Sequence, residues 1–189
     1  MSKEIAILDF IQKHTRSRQM DRLMTAVSKA NNYGAVWLST SIALAAIPKT
    51  RKTGLGMFAS LGVEFTLCNI ILKPLGDRIR PYDKAEDENH IKEHLLIDEP
   101  WDQSFPSGHT GASFAIASSL FFNHNIAWKP VGVIACTTGF SRMYLYVHYL
   151  TDVLGGVGVG IFSGYAGTKL VNSIYDHKAR REGRTNKEK

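Results

Sequence analysis

Five apolar runs succeed one another along this chain, and nothing else in it restricts the fold as much. They cover residues 33–47, 53–72, 110–122, 127–146 and 150–171. Charges within them are few: Glu64 in the second, Lys129 and Arg142 in the fourth, Asp152 and Lys169 in the fifth. A soluble helical core also contains apolar helices, but each keeps a polar face toward water. Five in succession with so few outward polar positions read as membrane-spanning helices. Several are short, and a short span serves when its polar ends reach the interface. The expected fold is therefore all-α, an integral membrane helical bundle of about five transmembrane helices, with residues 1–189 forming a single domain.

The mean hydropathy of −0.13 is low for such a protein. The average conceals a partition, because the polar residues are gathered into three places. Residues 1–30 alternate apolar and charged positions, from Ile5, Leu8 and Ile11 through Arg16, Arg18 and Arg22 to Met24 and Val27. That stretch is too charged to span and predicts an amphipathic helical segment lying in the interface; a surface helix of a soluble bundle has the same pattern. Residues 82–104 form a strongly acidic loop. Residues 177–189 form a basic tail, with six Lys or Arg against two Glu. Beside apolar segments such a tail fits a cytoplasmic membrane flank, not a nucleic-acid contact. No signal peptide is expected, since no small-residue cleavage site comes after an apolar core. Cys68 and Cys136 both fall in apolar runs and read as small buried residues, not as a disulfide framework.

Alternating spans assign the polar connections to two faces. Lys49–Lys52, the 124–129 link and the basic tail share one face; Lys73–Arg80, Pro106–His109 and Arg142–Asp152 share the other. The excess of Lys and Arg makes the first face cytoplasmic, so the second is extracytoplasmic. The N-terminal segment conflicts with this, because it is basic and falls outside unless it spans.

Three patches on the second face carry chemistry. His148 and Asp152 stand four apart, so on a helix they share a face and the carboxylate can fix the ring's tautomer. His109 comes after Pro106-Ser107-Gly108 and leads into an apolar run. A helix N-terminus offers free N–H groups to an anion, Gly108 allows close approach, and Ser107 adds a hydroxyl. His109 could then move a proton. Lys73, Arg80 and Arg142 are cations at or within the margins of apolar runs. Arginine forks match phosphate oxygens, and three fixed cations can offset the charge of a phosphoryl transition state. Taken singly, each feature has an ordinary structural explanation: a helix-end ion pair, a capping turn, a snorkelling flank.

In order, Lys73-x6-Arg80-Pro81, Pro106-Ser107-Gly108-His109 and Ser141-Arg142-x5-His148-x3-Asp152 resemble the three signature motifs of the type 2 phosphatidic acid phosphatase superfamily, without substitution. The flanking helices, and Ser104-Phe105 before the central motif, resemble its short bacterial membrane members. The resemblance implies that His148 forms a phosphohistidine oriented by Asp152, and that His109 is general acid and then base. It also implies that Lys73, Arg80, Ser107, Gly108 and Arg142 hold the phosphoryl oxygens, with no metal and no cofactor. Implied substrates are lipid phosphates and pyrophosphates in the membrane: undecaprenyl pyrophosphate first, then phosphatidylglycerol phosphate and phosphatidic acid.

Two patterns point elsewhere. His90-Ile91-Lys92-Glu93-His94 matches the H-x-x-E-H zinc signature, but it sits in a polar loop without a third ligand. Gly155, Gly156, Gly158, Gly160 and Gly164 resemble a nucleotide loop, yet no strand precedes them, and close helix packing explains them. Two other function classes stay open: a vanadate-dependent haloperoxidase sharing the anion pocket, and a non-catalytic lipid-binding membrane protein with a vestigial site.

Overall fold

A computed structural model describes residues 3–84 and 95–185, and every element within them is helical. The H-x-x-E-H pattern, residues 85–94 of the acidic loop and the end of the basic tail lie outside the described residues. Two short helices come first, α1 (Lys3–Thr15) and α2 (Arg18–Ala30). Ser17 caps α2 by accepting from the Met20 N–H at 3.2 Å, which satisfies one of the donors a helix start leaves free. At 13 residues each, they are about 20 Å long and too short to span a bilayer. A 3-10 turn, Asn32–Gly34, leads into α3 (Ala35–Ala46).

The next helix positions the first cations. α4 (Arg51–Phe65) continues into a π-helical turn, Thr66–Leu72, and resumes as α5 (Lys73–Gly76). A π turn adds a residue to the helical repeat and so rotates the next turn, here the one that carries Lys73. Asp77 ends the run in the left-handed region, with φ 34°. After α6 (Pro81–Lys84) come α7 (Gly108–Phe122), α8 (Trp128–Tyr144) and the long α9 (Leu150–Thr185). Thus α3 and α4 with its extension, then α7, α8 and α9, match the five apolar runs in order. The helical stretch Arg51–Lys84 is long and apolar enough to cross a membrane; Ala35–Ala46 is apolar but shorter.

At the centre stands α7, packed against α4, α8 and α9. Its contact with α9 is close because α9 presents glycines to it. A Cβ on Gly160 would meet the Gly111 carbonyl oxygen at 2.5 Å, and one on Gly164 would meet the Ala115 carbonyl oxygen at 2.8 Å. Gly167 lies equally close to Ser60 of α4. The glycine run is therefore a packing stripe. Buried polar side chains fill the same interfaces: Ser60 Oγ donates to the Gly56 carbonyl at 2.7 Å, and Ser119 and Thr168 share a hydrogen bond of 2.9 Å. Large apolar side chains face outward instead, among them Ile42, Phe58, Val133, Phe162 and Leu170. Cys68 is buried, but Cys136 is exposed on the outer surface of α8, contrary to expectation. An apolar run does not reveal which of its positions face inward.

The N-terminal helices do not lie apart from the bundle. Ile5, Leu8 and Met24 bury themselves against Tyr144, Leu145, Tyr146, Val147 and Tyr149, the turn joining α8 to α9. Tyr144 and Tyr146 donate their hydroxyls to Asp21 and Asp9 at 2.7 Å each. Tyr146 has φ 63°, unusual for a bulky side chain, and its anchored ring helps hold the strained turn.

Alanine at Gly160 should destabilise the detergent-solubilised protein by about 1–3 kcal/mol through overpacking. A Cβ at Gly158 has nothing within 4 Å, so alanine there should be neutral or raise stability by up to about 1 kcal/mol through helix propensity. Thermal denaturation of the two variants measures both; an unchanged midpoint for Gly160→Ala would contradict the packing stripe.

Candidate active site

All three patches meet at one end of the bundle, where helix ends converge. The π turn and α5 bring Lys73, the extended stretch after Asp77 brings Arg80, and the start of α7 brings Ser107 to His109. The end of α8 brings Arg142, the turn after it His148, and the first turn of α9 Asp152. Lys73, Arg80, Arg142, Ser107, His148 and Asp152 are all buried.

Arg80 organises one side. Its Nη1 donates to the Val147 carbonyl at 2.7 Å and lies 3.3 Å from His148 Nε2. A guanidinium can only donate, so Nε2 carries the ring's lone pair and the proton of the neutral ring sits on Nδ1. Nδ1 faces Asp152 Oδ2 at 3.6 Å, too long for a hydrogen bond. Asp152 is instead held by its neighbours. Its Oδ2 accepts from Ser104 Oγ at 2.5 Å and the Tyr149 N–H at 2.9 Å, and its Oδ1 pairs with Arg78 Nη1. Arg78 also stacks on the Tyr149 ring, 4.1 Å from its centroid, and pairs with Glu4 of α1. The carboxylate thus shares a face with His148 as expected, but its hydrogen bonds go elsewhere. Burial holds the His148 ring well below the ordinary histidine pKa, with the charges of Arg80, Arg142 and Lys73 adding to it; Asp102 opposes them more weakly. The ring is neutral at pH 7.

Asp102 bridges the cations. Its Oδ1 accepts from Arg80 Nη2 at 2.6 Å and its Oδ2 from Lys73 Nζ, while its backbone carbonyl accepts from Arg80 Nε at 2.8 Å. Burial pushes this carboxyl upward, but the hydrogen bond and charge of Lys73, then those of Arg80, overcome it and hold the pKa below 3.8. Lys73 Nζ also donates to Asn69 Oδ1 at 3.0 Å. Gly108 faces the same group: a Cβ there would lie 3.8 Å from Lys73 Nζ and 3.6 Å from Asn69 Oδ1. Ser107 accepts from Thr110 Oγ1 at 2.9 Å, and its N–H donates to the Asp152 carbonyl at 3.0 Å, tying α7 to α9.

Arg142 donates Nη1 to Ser28 Oγ of α2, and its buried Nε has no hydrogen-bond partner. His109 Nε2 lies 3.1 Å from Asn32 Oδ1, in the turn after α2. Asp102, Arg78, Asn69, Ser104, Ser28 and Asn32 do not stand out as site residues in the sequence. Arg78, two before Arg80 in an extended stretch, carries a weak signal, and Ser104 is visible as a flank. Ser28 and Asn32 carry none.

Buried cations around a neutral histidine at the end of a helical bundle suit an oxyanion. Residues 53–175 match the model of the PAP2 superfamily, and the chain belongs to that superfamily. It is similar to the undecaprenyl-diphosphatase BcrC of Bacillus subtilis, 42% identical over 73 residues, which are 38% of this chain and 37% of that protein. It is also similar to phosphatidylglycerophosphatase B of Bacillus subtilis, 35% identical over 59% of this chain and 55% of the relative. Both matches span less than two thirds of the relative's length. The crystal structure of Aquifex aeolicus LpxE superposes with a TM-score of 0.73 at 27% identity, covering 89% of this chain and 96% of that one.

Asp102 occupies the cations that an incoming anion would use. Asp102→Asn should bind inorganic phosphate more tightly, by about 1 kcal/mol or roughly fivefold, because one like charge is removed. Isothermal titration of the purified variant measures this, and weaker binding than in the parent protein would show that Asp102 positions the cations instead of competing for them.

Proposed function

We propose that this protein is a metal-independent lipid phosphate and pyrophosphate phosphatase acting through a phosphohistidine. The observation that carries the reading is His148 Nε2, whose lone pair points among the buried cations and lies 3.3 Å from Arg80 Nη1. In the first step Nε2 attacks phosphorus, the bond to the leaving oxygen breaks, and His109 gives that oxygen a proton. Water then attacks the phosphohistidine and yields a proton to His109, and the N–P bond breaks to return the lone pair to Nε2. Lys73, Arg80, Arg142, Ser107 and the start of α7 at Gly108 hold the phosphoryl oxygens as charge develops. Arg142 Nε, buried without a partner, is a donor suited to one of them. Asp152 keeps the His148 ring in place through charge at 3.6 Å and through the turn it binds.

The reading places the protein in the cell membrane as a multi-pass bundle with its site on the extracytoplasmic side. Inward serines and threonines with outward Ile, Phe, Val and Leu are the reverse of a soluble bundle and support it. The site lies at the end of α4 remote from Arg51 and Lys52, and at the end of α9 remote from its basic residues. The positive-inside rule then sets the side. α1 and α2, packed across the site end, do not span. Undecaprenyl pyrophosphate is the leading substrate, supported by the likeness to BcrC. Phosphatidylglycerol phosphate, supported by the second relative, and phosphatidic acid rank behind it.

Detergent-purified protein in EDTA, offered these three lipids, should release phosphate, with undecaprenyl pyrophosphate fastest. His148→Ala should lower release at least about a thousandfold. Activity surviving in His148→Ala, or lost to EDTA and restored by zinc, would sink the mechanism. Lipid binding without release would favour the vestigial-site alternative, and vanadate-dependent bromide oxidation the haloperoxidase.

A further inference from the structure

The junction between α2 and α3 reaches the site from the segment that the sequence pattern assigns to the membrane surface. Three neighbouring residues pin it there. Ser28 Oγ accepts from Arg142 Nη1. The buried Asn31 donates Nδ2 to the Val27 carbonyl at 2.9 Å and to Thr138 Oγ1 of α8 at 3.3 Å, and its Oδ1 accepts from Ser113 Oγ of α7 at 3.4 Å. Asn32 then stands on a backbone tied to both helices, with its Oδ1 3.1 Å from His109 Nε2. Both contact atoms have defined roles, because an amide oxygen only accepts and Nε2 must therefore donate.

We infer that Asn32 is a positioning residue for the proton-transferring histidine: its side-chain oxygen holds the Nε2–H of His109 and leaves Nδ1 as the atom that gives and takes the proton. The inference rests on the phosphatase reading. A bound phosphoryl anion offsets the cations and lets the ring take up a proton at Nδ1; in the first step this imidazolium passes that proton to the leaving oxygen, which returns the ring to the neutral tautomer that Asn32 selects. In the second step the Nδ1 lone pair takes a proton from water. Nε2–H stays on the amide throughout, so the ring need not turn between steps. Charged groups acting on His109 are Arg142, Lys73 and Arg80, with His148 beside them. A neutral acceptor orients the ring without adding a charge to that set. The two histidines are thus used through opposite nitrogens: His148 reacts at Nε2 with Nδ1 toward Asp152, and His109 works at Nδ1 with Nε2 on Asn32.

The test compares Asn32→Leu, Asn32→Ala and Asn32→Asp with the parent protein and His148→Ala, by steady-state phosphate release in EDTA at each variant's own pH optimum. Asn32→Leu keeps the size but removes the acceptor, and should lower kcat about 10- to 100-fold with KM within about twofold. Asn32→Asp keeps the acceptor and should recover at least about a third of the parent kcat. Thermal melts establish that each variant is folded, and Asn32→Ala replaces Asn32→Leu if the latter is not. A parent-like kcat in Asn32→Leu, a rise confined to KM, or Asn32→Asp as slow as Asn32→Leu each overturns the inference while the phosphatase reading stands. A parent protein that releases no phosphate overturns both.

Discussion

Burying charge at the end of an apolar bundle is the constraint on which the rest of the structure turns. An ion moved out of water costs several kcal/mol unless a partner and hydrogen bonds replace the solvent. Lys73 and Arg80 meet that condition through Asp102, and Arg78 meets it through Asp152 and Glu4. Arg142 does not: it has one serine hydroxyl and a bare Nε. The cluster is therefore under-compensated on the Arg142 side and braced on the Arg78 side. Burial is the main reason the His148 ring is neutral, and the same imbalance adds to it, since a second proton there would meet three cations.

Holding those groups in place requires close helices, and glycine supplies the proximity. α9 approaches α7 through Gly156, Gly160 and Gly164, and Gly156 faces the Ser107 carbonyl at the site itself. Packing and chemistry thus meet on one helix face: the stripe that lets α9 lie against α7 begins one turn after Asp152. With lipid-like surfaces outside, the interior has no apolar surplus to bury, and small side chains with short hydrogen bonds hold the helices together.

Much of this was legible in the sequence. Five apolar runs became helices in the expected order, because the absence of charge over such lengths leaves few alternatives. The three patches fell at one end because alternating helices leave no other arrangement. The π turn was not legible, since nothing in Thr66–Leu72 changes the apolar pattern. Asp102 was hidden by company: in a loop crowded with acids, one that turns inward looks like the rest. Direct pairing of Asp152 with His148 was the expectation from i,i+4 spacing, but Ser104, Arg78 and the Tyr149 N–H compete for the same oxygens across up to 74 residues of sequence. The place of α1 and α2 was the largest gap. Their amphipathic pattern announced a buried face without saying against what, and Ser28 meets Arg142 across 114 residues.

The rim of the site bears on the kind of molecule that reaches it. Leu75, Ile79 and Trp101 are 77%, 66% and 91% exposed, and each stands one or two residues from a charged group of the site: Lys73, Arg80 and Asp102. Exposed side chains of this size beside buried cations are costly in water, and tryptophan favours the depth where lipid head groups begin. α1 and α2 cover the α8–α9 turn, so that flank is occupied by protein. A phosphate carried on an apolar tail could thus meet the cations while its tail stays among side chains suited to lipid. The distribution of exposed apolar groups supports a lipid-borne phosphate independently of any motif, because it concerns residues that the three patches leave out.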